Sequence, residues 1–186
     1  DLATISKFSS ISLPKINTLE RNNWQILWSN MIDYYETQIG ENSKKYPLIR
    51  ESFDYFIGLA ENAISYLTYT KKETPKTIYD NKVLSHNNLY HSLEDPLNII
   101  IDHKSRDLAE YIKISFFNNN KNIFQELDNY FYYQKYSDYG IRVLFSRILY
   151  PSFYFKIYND IIQGIIKEKE LNSIINTIDK YEIYIY

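Results

Sequence analysis

Residues 85–110 restrict what this chain can fold into more than any other stretch. The run Leu97–Ile101 is short and apolar, reads as a strand buried on both faces, and ends on Asp102. A second aspartate, Asp107, opens a helical pattern in Asp107-Leu108-Ala109-Glu110. Just upstream, Ser85-His86-Asn87-Asn88-Leu89-Tyr90-His91 forms a histidine-led loop after a second short strand expected near Thr77–Leu84. A histidine-led loop, a strand ending in an aspartate and a helix opening on a second aspartate thereby follow one another, the layout of a phosphoryl-transfer site. Everything on either side of this stretch carries helical periodicity.

On the N-terminal side, Asn17 and Glu20 have the spacing of a capping box. Trp24, Leu27, Trp28, Met31, Tyr35 and Ile39 then share a stripe that Gly40 is expected to end. Pro47 suits a first helical turn and opens a strongly amphipathic helix carrying Ile49, Phe53, Phe56, Ile57, Ala60, Ile64 and Leu67, broken by a loop at residues 71–76. On the C-terminal side, helices are expected at Asp107–Phe117, Lys121–Gln134 and Asp138–Leu149, with Asp138 as a cap and the Asn118–Asn120 run as a break. Pro151 opens a further helix with Ile157, Ile161 and Ile165 stacked, and the last runs from Leu171 through Ile174, Ile175, Ile178 and Tyr181. The fold class is mostly α, of α+β type, with a small β insertion.

Composition narrows the functional classes. A chain of 186 residues forms one domain or most of one and can bury a core. A net charge of −2 with no basic block gives a phosphate backbone nothing to bind, so no nucleic-acid partner is expected. The absence of cysteine removes disulfides, thiolate catalysis and cysteine metal sites, and fits an intracellular protein. No apolar run reaches membrane-spanning length. The 20 tyrosines, with abundant Asn, Ile and Lys, match the codon bias of an AT-rich genome. Tyr130, Tyr132, Tyr133, Tyr136 and Tyr139 cluster at a helix end, and Tyr181, Tyr184 and Tyr186 close the chain; packing explains most of them, and exposed ones would suit protein contacts or oxidative cross-links. His86, His91 and His103 match no zinc spacing, and Glu94 and Asp95 form no defined carboxylate pair.

The loop and strand motifs resemble those of the aminoglycoside phosphotransferase and choline kinase group, whose loop reads His-Gly-Asp-x-His-x-x-Asn and whose metal motif is Ile-Asp-[Phe/Trp]. His86-Asn87-Asn88-Leu89-Tyr90 lies on the first motif, Ile101-Asp102-His103 on the second, and Asp107-Leu108-Ala109 on the opening of the next helix. Within that group, Asp102–Glu110, Arg142–Phe155 and Phe53–Ala63 are similar to kinase-like spore coat proteins of the CotS/YutH type. The resemblance spans roughly residues 45–160.

It implies the C-terminal lobe of a protein-kinase-like fold over residues 17–186, with residues 1–16 as a linker or arm from an N-terminal lobe missing here. The start at Asp1 rather than methionine fits a processed or partial chain. It also implies that His86 is a strut of the loop, that Asp107 steadies that loop, and that Asp102 is what remains of a metal site. Phosphoryl transfer is mostly positioning and charge neutralisation, and its base position here holds Asn88, whose amide has no useful basicity. Leu93 stands where a metal-binding asparagine would fall by counting. One carboxylate is a poor Mg²⁺ site unless substrate phosphates complete it. The four glycines, Gly40, Gly58, Gly140 and Gly164, form no phosphate-cradling cluster.

Three readings follow. The first is a catalytically impaired spore coat protein, needing no cofactor and acting through contact with other coat proteins in coat assembly. The second is an active phosphotransferase completed by the missing lobe, with Asp95 the nearest candidate by sequence to replace the lost base. The third is a pseudokinase that retains ATP and Mg²⁺ binding for regulation.

Overall fold

The computed structural model describes residues 2–9, 21, 23–73 and 82–185, and in it the small β unit and the helices around it can be followed in detail. Among these residues the order is α1 (Leu2–Ser9), α2 (Trp24–Lys45), α3 (Pro47–Glu73), β1 (Lys82–His86), β2 (Ile99–His103), α4 (Ser105–Phe117), α5 (Ile123–Tyr133), α6 (Asp138–Leu149), α7 (Ser152–Ile162), α8 (Asn172–Ile175) and α9 (Ile178–Ile185). The described residues are mostly helical, with one two-stranded sheet among them. The expected Asn17–Glu20 capping box and residues 77–81 of the expected first strand lie outside the described residues. Among the described residues no helix is long and apolar enough to cross a membrane.

The strands pair antiparallel, from Lys82 opposite His103 to His86 opposite Ile99. The second strand starts later than its apolar run suggests. Asp95 Oδ1 accepts the Leu97 N–H at 2.9 Å and caps a short 3-10 turn over Pro96–Asn98, which leaves Leu97 93% exposed. Ile100, Ile101, Asp102 and His103 are buried, so the strand carries its carboxylate inward.

Several helix ends differ from expectation for identifiable reasons. Gly40 lies inside α2, because a mid-helix glycine costs only about 1 kcal/mol. The stop is Pro47, which disfavours helical geometry at Tyr46. The buried stripe of α2 is Trp28, Ile32 and Tyr35, while Leu27 and Met31 are each 40% exposed. Ser137, rather than Asp138, caps α6 by accepting the Gly140 N–H at 3.0 Å. Gly164 takes φ +74° and the Ile165 N–H returns to the Asp160 carbonyl at 2.8 Å, which ends α7 before Ile165 can join the expected stack. The expected last helix is two, with Asn176 and Thr177 between α8 and α9. The Asn118–Asn120 break holds: Asn119 adopts φ 52° and the Asn120 N–H reaches the Ser115 carbonyl at 2.9 Å.

By contact the chain divides into two units, Asp1–Trp24 with Leu67–Ile148, and Gln25–Tyr66 with Leu149–Tyr186. In the first, α1 packs on β1, α4 and α5 and buries Leu2 and Ile5, within the stretch expected as an arm. Leu108, Ala109, Ile112, Val143 and Leu144 fill its interior.

The second unit has an aromatic core. Tyr35 stacks on Phe155 at 4.5 Å, Phe56 on Tyr154 at 3.9 Å and Trp28 on Tyr150 at 4.4 Å. Three buried phenols here find partners: Tyr154 meets Ser52 Oγ at 3.2 Å, Tyr158 accepts from Asn42 at 3.0 Å and Tyr35 from Asn159 at 2.8 Å. Part of the tyrosine excess is therefore interior packing.

Candidate functional site: a braced loop and a clasped carboxylate

The loop between β1 and β2 is organised by one buried side chain. Asn98 Oδ1 accepts the Asn88 N–H at 2.9 Å, and its Nδ2 donates to the carbonyls of Asn88 at 2.9 Å and Ser92 at 3.1 Å. The Asn98 carbonyl takes the Asn87 N–H at 2.7 Å. Asn88, at the expected base position, turns its amide oxygen onto the Tyr90 N–H at 2.8 Å. That is an Asx turn, a local backbone role.

The loop is anchored to α4 by His86, Asp107 and Arg106. Asp107 sits in the first turn of α4, where a carboxylate is favoured by the helix dipole. Its Oδ1 accepts the His86 backbone N–H at 2.9 Å and its Oδ2 lies 2.6 Å from His86 Nδ1. The other ring nitrogen of His86 is 3.1 Å from the Leu93 carbonyl. Arg106 donates from Nε to the His86 carbonyl at 2.7 Å and from Nη2 to the Asn87 carbonyl at 2.9 Å. Burial, then Arg147, lowers the pKa of Arg106 from its usual value.

Asp102 lies at the end of β2 and is 1% exposed. Its Oδ1 accepts from Trp24 Nε1 at 2.9 Å, from Arg147 Nη2 at 2.8 Å and from the His103 N–H at 2.6 Å. Its Oδ2 has Arg106 Nη1 at 3.6 Å. The guanidiniums of Arg106 and Arg147 lie 4.6 and 4.7 Å from the centroid of the Trp24 ring. Behind this cluster, Lys113 is fully buried and donates to Glu110 at 2.6 Å and to the Arg147 carbonyl at 3.1 Å, satisfying a carbonyl of the last turn of α6. Desolvation lowers its pKa against the opposing pull of Glu110.

The structure thus brings His86, Asn88 and Asp107 together at the loop end of the hairpin, whereas Asp102 pairs with Val83 toward the other end and is linked to His86 through Arg106. Leu93 joins them only through its carbonyl. His91 is exposed and Asp95 is spent on its cap, so neither converges on Asp102. His103 turns its Nδ1 to Ser105, at 2.7 Å from Oγ and 3.1 Å from N. Among the described residues no group of three or more His, Asp or Glu is placed to hold a metal ion. Of the expected tyrosine clusters, Tyr130, Tyr139 and Tyr181 are buried, while Tyr132 and Tyr133 are 72% and 77% exposed; Tyr186 lies outside the described residues.

Sequence reasoning gave no role to Arg147, Arg106, Asn98 or Lys113, and treated Trp24 as part of a core stripe. The available signal was polarity out of place. Arg147 falls on the helical face of Val143 and Leu144, and Asn98 interrupts an otherwise apolar run.

Comparison with known proteins places the whole described region in one family. The family model "Spore coat putative kinase YutH" matches residues 2–185. The chain is 29% identical over 186 aligned positions to the endospore coat-associated protein YutH of Bacillus subtilis (strain 168), covering 87% of this chain and 54% of that protein. The chain therefore spans about half the length of this relative. No solved structure matches it.

Proposed function

The chain belongs to the YutH family of spore coat proteins, and on that premise we propose that it serves in the spore coat through contact with other coat proteins rather than by phosphoryl transfer. Its frame, in this reading, descends from a phosphotransferase lobe whose loop survives and whose chemistry does not.

The coat role is supported by the family. The loss of chemistry is supported by one observation above the rest: the Asn88 side chain closes its own turn onto the Tyr90 N–H at 2.8 Å. A phosphotransferase loop needs a carboxylate there that faces the substrate hydroxyl. An amide oxygen is too weakly basic to take the proton of a substrate hydroxyl, and this one is turned onto a backbone N–H instead. The bracing of the loop by His86, Asp107 and Asn98 is retained because it holds a buried hairpin together, a task independent of catalysis.

The second reading is an active phosphotransferase, favoured by the kinase wording of the family description and by the half of the relative that lies beyond this chain. The coat role is tested by tagging the protein at its own locus and fractionating mature spores. Recovery in the coat extract is expected. Recovery only in the soluble mother-cell fraction would reject the coat role.

A further inference from the structure

We propose that the cation seated on Asp102 belongs to the protein itself: Arg147, seconded by Arg106, takes the place at which a phosphotransferase-like loop would hold a divalent metal ion. The comparison with a metal rests on reading residues 86–102 as such a loop; the arginine clasp rests on geometry alone.

A hard divalent cation of the Mg²⁺ kind needs near-octahedral oxygen ligation. The oxygens this loop offers are already committed. Asp102 Oδ1 carries three donors, from Trp24, Arg147 and His103, at 2.9, 2.8 and 2.6 Å. Asn98 Oδ1 and Asn88 Oδ1 each accept a backbone N–H, and the Leu93 carbonyl faces His86 Nε2. The remaining oxygen, Asp102 Oδ2, has no hydrogen-bond partner among the described residues but has Arg106 Nη1 at 3.6 Å.

Charge leads to the same conclusion. Asp102 meets two guanidiniums, with Asp102 1% and Arg147 5% exposed, so a divalent ion on Oδ2 would sit against Arg106 in a poorly screened place. The lowered pKa of Lys71 fits this: burial acts first, Arg147 and Lys82 act with it, and Asp102 opposes. Trp24 completes the clasp by offering its ring to both guanidiniums and its N–H to the carboxylate.

The test is NMR of the full chain, whose two tryptophans make the Trp24 indole N–H easy to assign. Mn²⁺ titrated into the protein is expected to leave the Trp24 indole and His103 amide signals unbleached. Arg147→Met is expected to shift both signals and lower the melting temperature. Should that variant fail to fold, Arg147→Lys, which keeps a cation but not the planar fork, is expected to shift the same two signals. Selective bleaching of both at substoichiometric Mn²⁺ would overturn the assignment, as would a folded Arg147 variant with both signals unmoved. Neither result bears on recovery in the spore coat, which tests the coat role separately.

Discussion

At the scale of the residue, Asn98 does for the loop what regular structure does elsewhere. It is 4% exposed, and its amide closes three hydrogen bonds to a segment that has no other regular pairing. Asn98→Ala would strand the Asn88 N–H and leave the Asn88 and Ser92 carbonyls only the 3.3 Å bonds from His91 and Asp95, at a cost of about 2–3 kcal/mol. The denaturant midpoint should fall accordingly, and limited proteolysis should move to residues 87–97; an unchanged midpoint would show that water replaces the amide. This residue also marks how far the sequence could be read. His86, Asp102 and Asp107 were legible because their types and spacing sit on a motif. Asn98 and Arg147 were not, although both are polar residues at buried positions. Periodicity shows that such a side chain points inward, but its partner lies on another element, as Arg147 lies 45 residues from Asp102, and no local pattern records that pairing.

At the scale of the element, helix ends decide the outcome. The stripe of α3 was legible from its apolar spacing, and Ile49, Phe53, Phe56, Ile57, Ala60 and Leu67 are all buried. What caps it was not. Pro47 supplies no N–H, and the next two donors, Leu48 and Ile49, are both taken by Glu168 Oε1 at 2.7 and 3.1 Å, from a 3-10 turn far along the chain. A carboxylate at this helix N-terminus also meets the favourable end of the dipole. Glu168→Ala should destabilise the protein by about 1–2 kcal/mol, with Glu168→Gln recovering part of the loss by keeping an acceptor. Calorimetric melting of both variants checks this, and equal losses would point to charge alone. The two glycines show why helix ends resist sequence reading. Gly40 is passed over inside α2, whereas Gly164 at φ +74° stops α7 through the Ile165 return bond.

At the scale of the whole molecule, the tyrosine-rich composition becomes a pH dependence. Burial raises the pKa of Tyr35, Tyr154 and Tyr158 above the usual phenol value of 10.0, in each case against a neighbouring hydrogen bond that lowers it. Below that value folded and unfolded states hold the same phenol protons. Above it the unfolded chain releases them while the fold retains them, so the unfolded state binds fewer protons and stability falls as pH rises. Melting temperature should therefore drop steeply above pH 10.0, and phenolate absorbance should rise in two phases, exposed tyrosines first and buried ones on unfolding. A single phase with no loss of stability would contradict the interior packing. Function belongs to this scale too, since the coat reading joins family membership to a loop that keeps its bracing without its base. The most direct test is to incubate the protein, at the full length its relative has, with Mg²⁺ and ATP labelled on the γ-phosphate, alone and with spore coat extract. No transfer of label to itself or to coat proteins above a heat-inactivated control is expected. Labelled product that disappears in an Asp102→Asn variant would contradict the proposal and make this protein a working phosphotransferase.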